Sequence, residues 1–81
     1  MKVTVKFFAL VREIAACDEA TLDLPQETSC EEALLHLENT IPGLFSILRR
    51  CLVAVNGRYA HPDTRILVDD EVAILPPVSG G

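Results

Sequence analysis

The sequence predicts an α+β domain in which one main amphipathic helix covers one face of a small mixed sheet. Three observations carry that expectation. Val3, Val5 and Phe7 alternate with Lys2, Thr4 and Lys6, the period-two pattern of a half-buried strand. Cys30, Ala33, Leu34, Leu37 and Ile41 recur at helical spacing behind a capping signal. Asn56-Gly57 is the strongest two-residue hairpin signal, because both turn positions accept positive φ.

After the first strand, Phe8 to Ala16 loses the alternation and places Leu10, Val11 and Ile14 at helical spacing, which predicts a short helix. Ala20, Leu22 and Leu24 then alternate with Glu19, Thr21 and Asp23 until Pro25 removes a donor, giving a second strand antiparallel to the first. Thr28-Ser29-Cys30-Glu31-Glu32 holds two overlapping capping boxes, Thr28 with Glu31 or Ser29 with Glu32, and either satisfies free N–H groups at a helix start. The main helix runs from there to Pro42-Gly43, with Glu31, Glu38 and Asn39 outside its apolar stripe. Residues 44–50 predict a short helical turn packing Leu44, Ile47 and Leu48 inward.

Leu52-Val53-Ala54-Val55 reads as a largely buried strand, and Arg58-Tyr59-Ala60 returns from the hairpin turn. His61-Pro62-Asp63-Thr64 and Val68-Asp69-Asp70 are turn chemistry around a short Arg65-Ile66-Leu67 segment. The last strand, Glu71 to Leu75, stops at Pro76-Pro77. In this layout the first and last strands can both lie in the middle of the sheet. Residues 1–75 are expected to form the globular domain, with 76–81 a flexible tail.

Eighty-one residues make one small domain, which buries only ~60% of the surface its unfolded form exposes. A 49% hydrophobic and 23% charged composition is that of a packed globule rather than a disordered chain. The net charge of −5 has the wrong sign for neutralising phosphates and argues against a nucleic-acid partner. Apolar runs such as Leu52 to Val55 fall far short of the ~20 residues that span a bilayer, and Met1 to Lys6 is no signal peptide, so no membrane partner and a cytoplasmic location are expected.

Three cysteines, Cys17, Cys30 and Cys51, cannot all pair within one chain, and none is in CxxC spacing; reduced, buried or semi-buried thiols are expected. Cys30 stands out because a thiolate is favoured near a helix N-terminus. His36 and His61 lack metal-ligand spacing, so no metal site is expected, and both are read with Tyr59 as surface or packing residues.

The chain ends in Pro76-Pro77-Val78-Ser79-Gly80-Gly81, with no charged side chain and no large group after Val78. From Pro77 to Gly81 such an arm reaches roughly 17 Å at ~3.4 Å per residue. Prolines stiffen its root, and terminal glycines remove every Cβ from its tip, a shape suited to a channel too narrow for other residues. The plain alternative is an ordinary frayed chain end. An ionised terminal carboxylate is a poor electrophile until one oxygen becomes a leaving group. No GxxxxGK[ST] or GxGxxG motif is present to hold a nucleotide, so chemistry at the tail requires a separate ATP-using enzyme.

Val5-Lys6-Phe7-Phe8-Ala9 with Val11-Arg12-Glu13, Ala54-Val55-Asn56, Asp69-Asp70-Glu71-Val72-Ala73 and above all Pro76-Pro77-Val78-Ser79-Gly80-Gly81 give the chain an end-to-end resemblance to a family, the small sulfur-carrying subunits of molybdopterin synthase. The resemblance implies a ubiquitin-like β-grasp fold and a carrier that is not an enzyme alone. It implies that Gly81 is adenylated by an activating enzyme of the ubiquitin-activating type, which uses ATP and Mg, and is converted to a thiocarboxylate by a sulfur donor protein. The sulfur then passes to cyclic pyranopterin monophosphate inside the large catalytic subunit, and this chain binds no cofactor of its own. Gly81 is the implied covalent carrier, Gly80, Ser79 and Val78 the passage into the partner, and Pro76 and Pro77 the positioning root. Arg12 and Leu75 fall at implied partner-interface positions, Leu75 standing where phenylalanine is frequent in the family. A carrier for thiamine biosynthesis, a ubiquitin-like modifier and a plain β-grasp binding module remain alternatives.

Overall fold

The computed structural model describes residues 1–76; the readings of Pro77, Val78, Ser79, Gly80 and Gly81, with the tail boundary they define, lie outside the described residues. The chain orders as β1 (Lys2–Phe7), α1 (Ala9–Ala15), β2 (Glu19–Asp23), α2 (Cys30–Thr40), a 3-10 turn (Pro42–Leu44), α3 (Phe45–Leu48), β3 (Leu52–Val55), β4 (Arg58–Tyr59) and β5 (Val72–Leu75). One five-stranded sheet has the order β2-β1-β5-β3-β4. β1 and β5 are parallel, and the other neighbours antiparallel. The first and last strands are therefore both internal, as the layout predicted, and β5 is the central strand. This is an α+β, ubiquitin-like β-grasp arrangement.

Alternation in β1 sends Val3, Val5 and Phe7 into the core, where Leu22, Val53, Val72 and Ile74 join them from neighbouring strands. α2 supplies Cys30, Ala33 and Leu37, while Leu34 and Ile41 of the predicted stripe are half-buried at its margins. Of the two possible capping boxes, the structure uses Ser29 with Glu32. The Ser29 hydroxyl accepts from the Glu32 N–H at 3.2 Å, and the Ser29 N–H donates to Glu32 Oε1 at 3.1 Å. Thr28 is taken by another task, donating its hydroxyl to the Pro25 carbonyl at 2.6 Å.

Pro42 ends α2 and opens the 3-10 turn, whose Leu44 is fully buried; Leu48 follows on α3, with Ile47 half-buried. The hairpin turn forms as predicted, with φ of 53° at Asn56 and 83° at Gly57. β3 is largely buried as predicted: Val53 and Ala54 are buried and Val55 half-buried, while Leu52, on the face away from α2, is 37% exposed. One expectation needs correction: Cys17 is exposed, in the bend after α1. Among the described residues, no helix is long and apolar enough to cross a membrane.

Candidate functional site

Because β1 and β5 run parallel, their C-terminal ends share one edge of the sheet, and Leu75-Pro76 leads the chain out there from the centre. The face opposite α2 is divided. Over β1 and β2 it is polar, with the pairs Lys2–Asp23, Thr4–Thr21 and Lys6–Glu19. Across β5, β3 and β4 it is apolar: Leu75 pairs with Leu52, Ala73 with Ala54, and Ala54 with Tyr59. Phe8 continues the alternation of β1 in extended backbone (φ −129°, ψ 154°), one step beyond the Phe7–Ile74 pair. Phe8, Leu52 and Tyr59 are 43%, 37% and 72% exposed, while Leu75 is half-buried among them. The chain thus leaves the sheet beside an uncovered patch of large apolar side chains, the kind of surface that marks an interaction site.

Leu75 and Pro76 lie within this patch and at its exit, where the sequence reading places them. Arg12 is on α1, beyond Phe8, with its side chain exposed and its Nε 3.9 Å from Asp18 Oδ1. That surface pairing leaves the guanidinium available to another partner. Sequence reasoning does not single out Phe8, Leu52 or Tyr59 as site residues. Phe8 carries a local signal, an apolar residue where the alternation of β1 calls for a polar one, whereas Leu52 and Tyr59 join the patch only through long-range strand pairing.

Burial disfavours the thiolate at Cys30 and at Cys51. Cys30 opens α2, but it is 1% exposed, and burial, followed by the nearby Asp70 charge, pushes its pKa above the ordinary 9.0. Desolvation outweighs the favourable helix terminus, so Cys30 is a buried thiol as expected of the cysteines, and the helix start does not make it a thiolate. Burial also raises Cys51, whose thiol donates to the Ile47 carbonyl at 3.2 Å. His36 and His61 are exposed, and His61 Nδ1 accepts from the Asp63 N–H at 3.2 Å. Among the described residues, no three His, Cys, Asp or Glu side chains converge as a metal ion requires.

Residues 5–81 match the sequence pattern of the ThiS family. The molybdopterin synthase sulfur carrier subunit of Chlamydomonas reinhardtii is 40% identical over 83 residues, covering 100% of both chains. Among solved structures, SAMP1, the small archaeal modifier protein 1 of Haloferax volcanii, superimposes with a TM-score of 0.89 at 28% identity over 100% of both chains. A chain from the complex of subunits 1 and 2 of the molybdopterin-converting factor of Helicobacter pylori does so with a TM-score of 0.70 at 26% identity, again over 100% of both. The family pattern covers residues 5–81 and the curated relative aligns over the full length, so the chain belongs to the ThiS family.

Proposed function

We propose that this chain is a sulfur carrier for molybdopterin synthesis, with Gly81 as the point of covalent attachment. The observation that carries the reading is the likeness along its whole length to sulfur carrier subunits, which includes the terminal Pro-Pro-Val-Ser-Gly-Gly. The fold supports it physically. A central strand delivers the chain end from a rigid sheet, and an apolar patch at the same edge offers a docking surface that holds a partner over the exit.

In this reading an activating enzyme transfers AMP from ATP to the Gly81 carboxylate with release of pyrophosphate. Hydrosulfide released by a donor protein attacks the acyl carbon through its sulfur, the C–O bond to AMP breaks, and AMP leaves; loss of the remaining proton gives the thiocarboxylate. The arm then carries that sulfur into the large catalytic subunit, whose pocket shields it from water. Val78, Ser79 and Gly80 are the stretch that passes into the partner, Gly80 admitting backbone to a narrow channel, and Pro76 and Pro77 stiffen its root. Arg12 and Leu75 contact the partners. The Helicobacter pylori relative, solved as a complex of subunits 1 and 2, supports a large-subunit partner.

Deleting Gly81, or adding residues after it, is expected to abolish sulfur transfer in an assay with the large subunit while leaving the fold intact. An unchanged rate with either variant contradicts the reading. The likeness to a small archaeal modifier protein favours a second reading, attachment of Gly81 to lysines of other proteins. Isolation of an isopeptide-linked adduct through Gly81 would establish it.

A further inference from the structure

The four residues of β5, Val72-Ala73-Ile74-Leu75, are all apolar, so their pattern does not distinguish the core face from the outer face. A slip of one residue would bury Ala73 and Leu75 in place of Val72 and Ile74, still apolar, and would move the chain exit by ~3.4 Å. The parallel ladder with β1 has only three residue pairs, and the antiparallel ladder with β3 has four, against a strand that is itself apolar throughout. Some other feature must therefore specify the register of the strand that carries the tail.

That feature is at the entry to β5. Asn56, in left-handed conformation at the hairpin turn, cannot present its own carbonyl to the ladder, and its side chain takes over: Oδ1 accepts from the Glu71 N–H at 2.9 Å. The Asn56 N–H still donates to the Glu71 carbonyl at 2.8 Å. Asn56 Nδ2 donates to Asp70 Oδ1 at 2.9 Å, and Asp70 Oδ2 accepts from the Leu67 N–H at 2.8 Å. Asp69, at φ 70°, makes the bend that brings Asp70 and Glu71 to this position. One amide and one carboxylate thus tie the β3–β4 turn to the last residues before β5.

We propose that Asn56 and Asp70 are positioning residues that fix the register of β5 and, through it, the reach of the terminal arm. The consequence for sulfur delivery rests on the carrier reading above; the register itself does not. A shift of one residue at the root displaces the terminal carbonyl by more than reacting groups tolerate.

The test uses three variants of the full chain. Asn56→Gly keeps the left-handed backbone and removes both side-chain hydrogen bonds. Asn56→Asp sets two carboxylates against each other. Asn56→Asp combined with Asp70→Asn restores every bond, with donor and acceptor exchanged only in the one between the two side chains. In that pair the amide introduced at position 70 donates to the carboxylate introduced at position 56, while its oxygen still accepts from the Leu67 N–H.

Cross-strand proton contacts between Leu52–Val55 and Val72–Leu75, read by NMR, are expected to show more than one register in both single variants and one in the exchanged pair. With the large subunit saturating, sulfur-transfer turnover is expected to fall about tenfold or more in the single variants. It should recover to within about threefold in the exchanged pair. A single native register in Asn56→Gly, or failure of the exchanged pair to recover the register lost in Asn56→Asp, overturns the proposal. Absence of sulfur transfer by the unaltered chain would remove the carrier reading, while the register comparison would still decide this one.

Discussion

Cys30 and Cys17 show how location overrides residue type. A thiol at a helix start gains from the helix dipole only where the thiolate remains solvated, and Cys30 is enclosed by the core with Asp70 close enough to repel an added negative charge. A disulfide reagent is therefore expected to modify the buried Cys30 at least about tenfold more slowly than the exposed Cys17 in the folded chain. Equal rates would show that Cys30 is not enclosed. The raised values also set a pH dependence. Below the ordinary thiol pKa both states are protonated. Above it the unfolded chain ionises first, so stability falls as pH rises through the raised folded values of Cys30 and Cys51. Urea unfolding at about pH 7 and pH 10 should show a lower midpoint at the higher pH, with part of the loss removed by Cys30→Ala.

Among the helices, the capping box of α2 is the clearest case of sequence deciding structure locally. Ser29→Ala removes the acceptor for the Glu32 N–H and is expected to cost about 1 kcal/mol in equilibrium unfolding. The Ser29 hydrogen bonds lower the pKa of Glu32, so this contribution is present above the ordinary carboxylate range and is lost as pH falls through the lowered folded value. α1 ends less favourably, with Ala16 in left-handed conformation at φ 60° and its N–H donating to the Glu13 carbonyl. Ala16→Gly should raise stability by about 0.5–1 kcal/mol, and a loss would show that this backbone conformation is not the one adopted in solution.

These elements were legible because their signals are local: the Ser29–Glu32 spacing, the Asn56-Gly57 turn and the alternation of Val3, Val5 and Phe7 each lie within a few residues. The choice between the two capping boxes was not local. Thr28 is drawn to Pro25, and its backbone accepts from the Ile66 N–H at 2.8 Å, a contact between distant segments. The candidate site divides in the same way. The tail residues were named from the resemblance that Pro76 to Gly81 carry, whereas the patch formed by Phe8, Leu52, Tyr59 and Leu75 exists only because β5 inserts between β1 and β3.

For the whole molecule, the proposed function rests on a sheet whose central strand leads Leu75-Pro76 out beside an apolar patch. Leu52→Asp places a charge in the middle of that patch at a position already 37% exposed, so folding should tolerate it while affinity for the large subunit falls at least about tenfold. Retained affinity in a titration by calorimetry would move the docking surface elsewhere. The most direct measurement is the intact mass of the chain after incubation with ATP, Mg, a sulfur source and an activating enzyme of the adenylating type. Replacement of one carboxylate oxygen by sulfur adds about 16 Da, and fragmentation is expected to place that gain on Gly81. An unchanged mass with an activating enzyme that loads a related carrier in the same mixture would contradict the sulfur-carrier account.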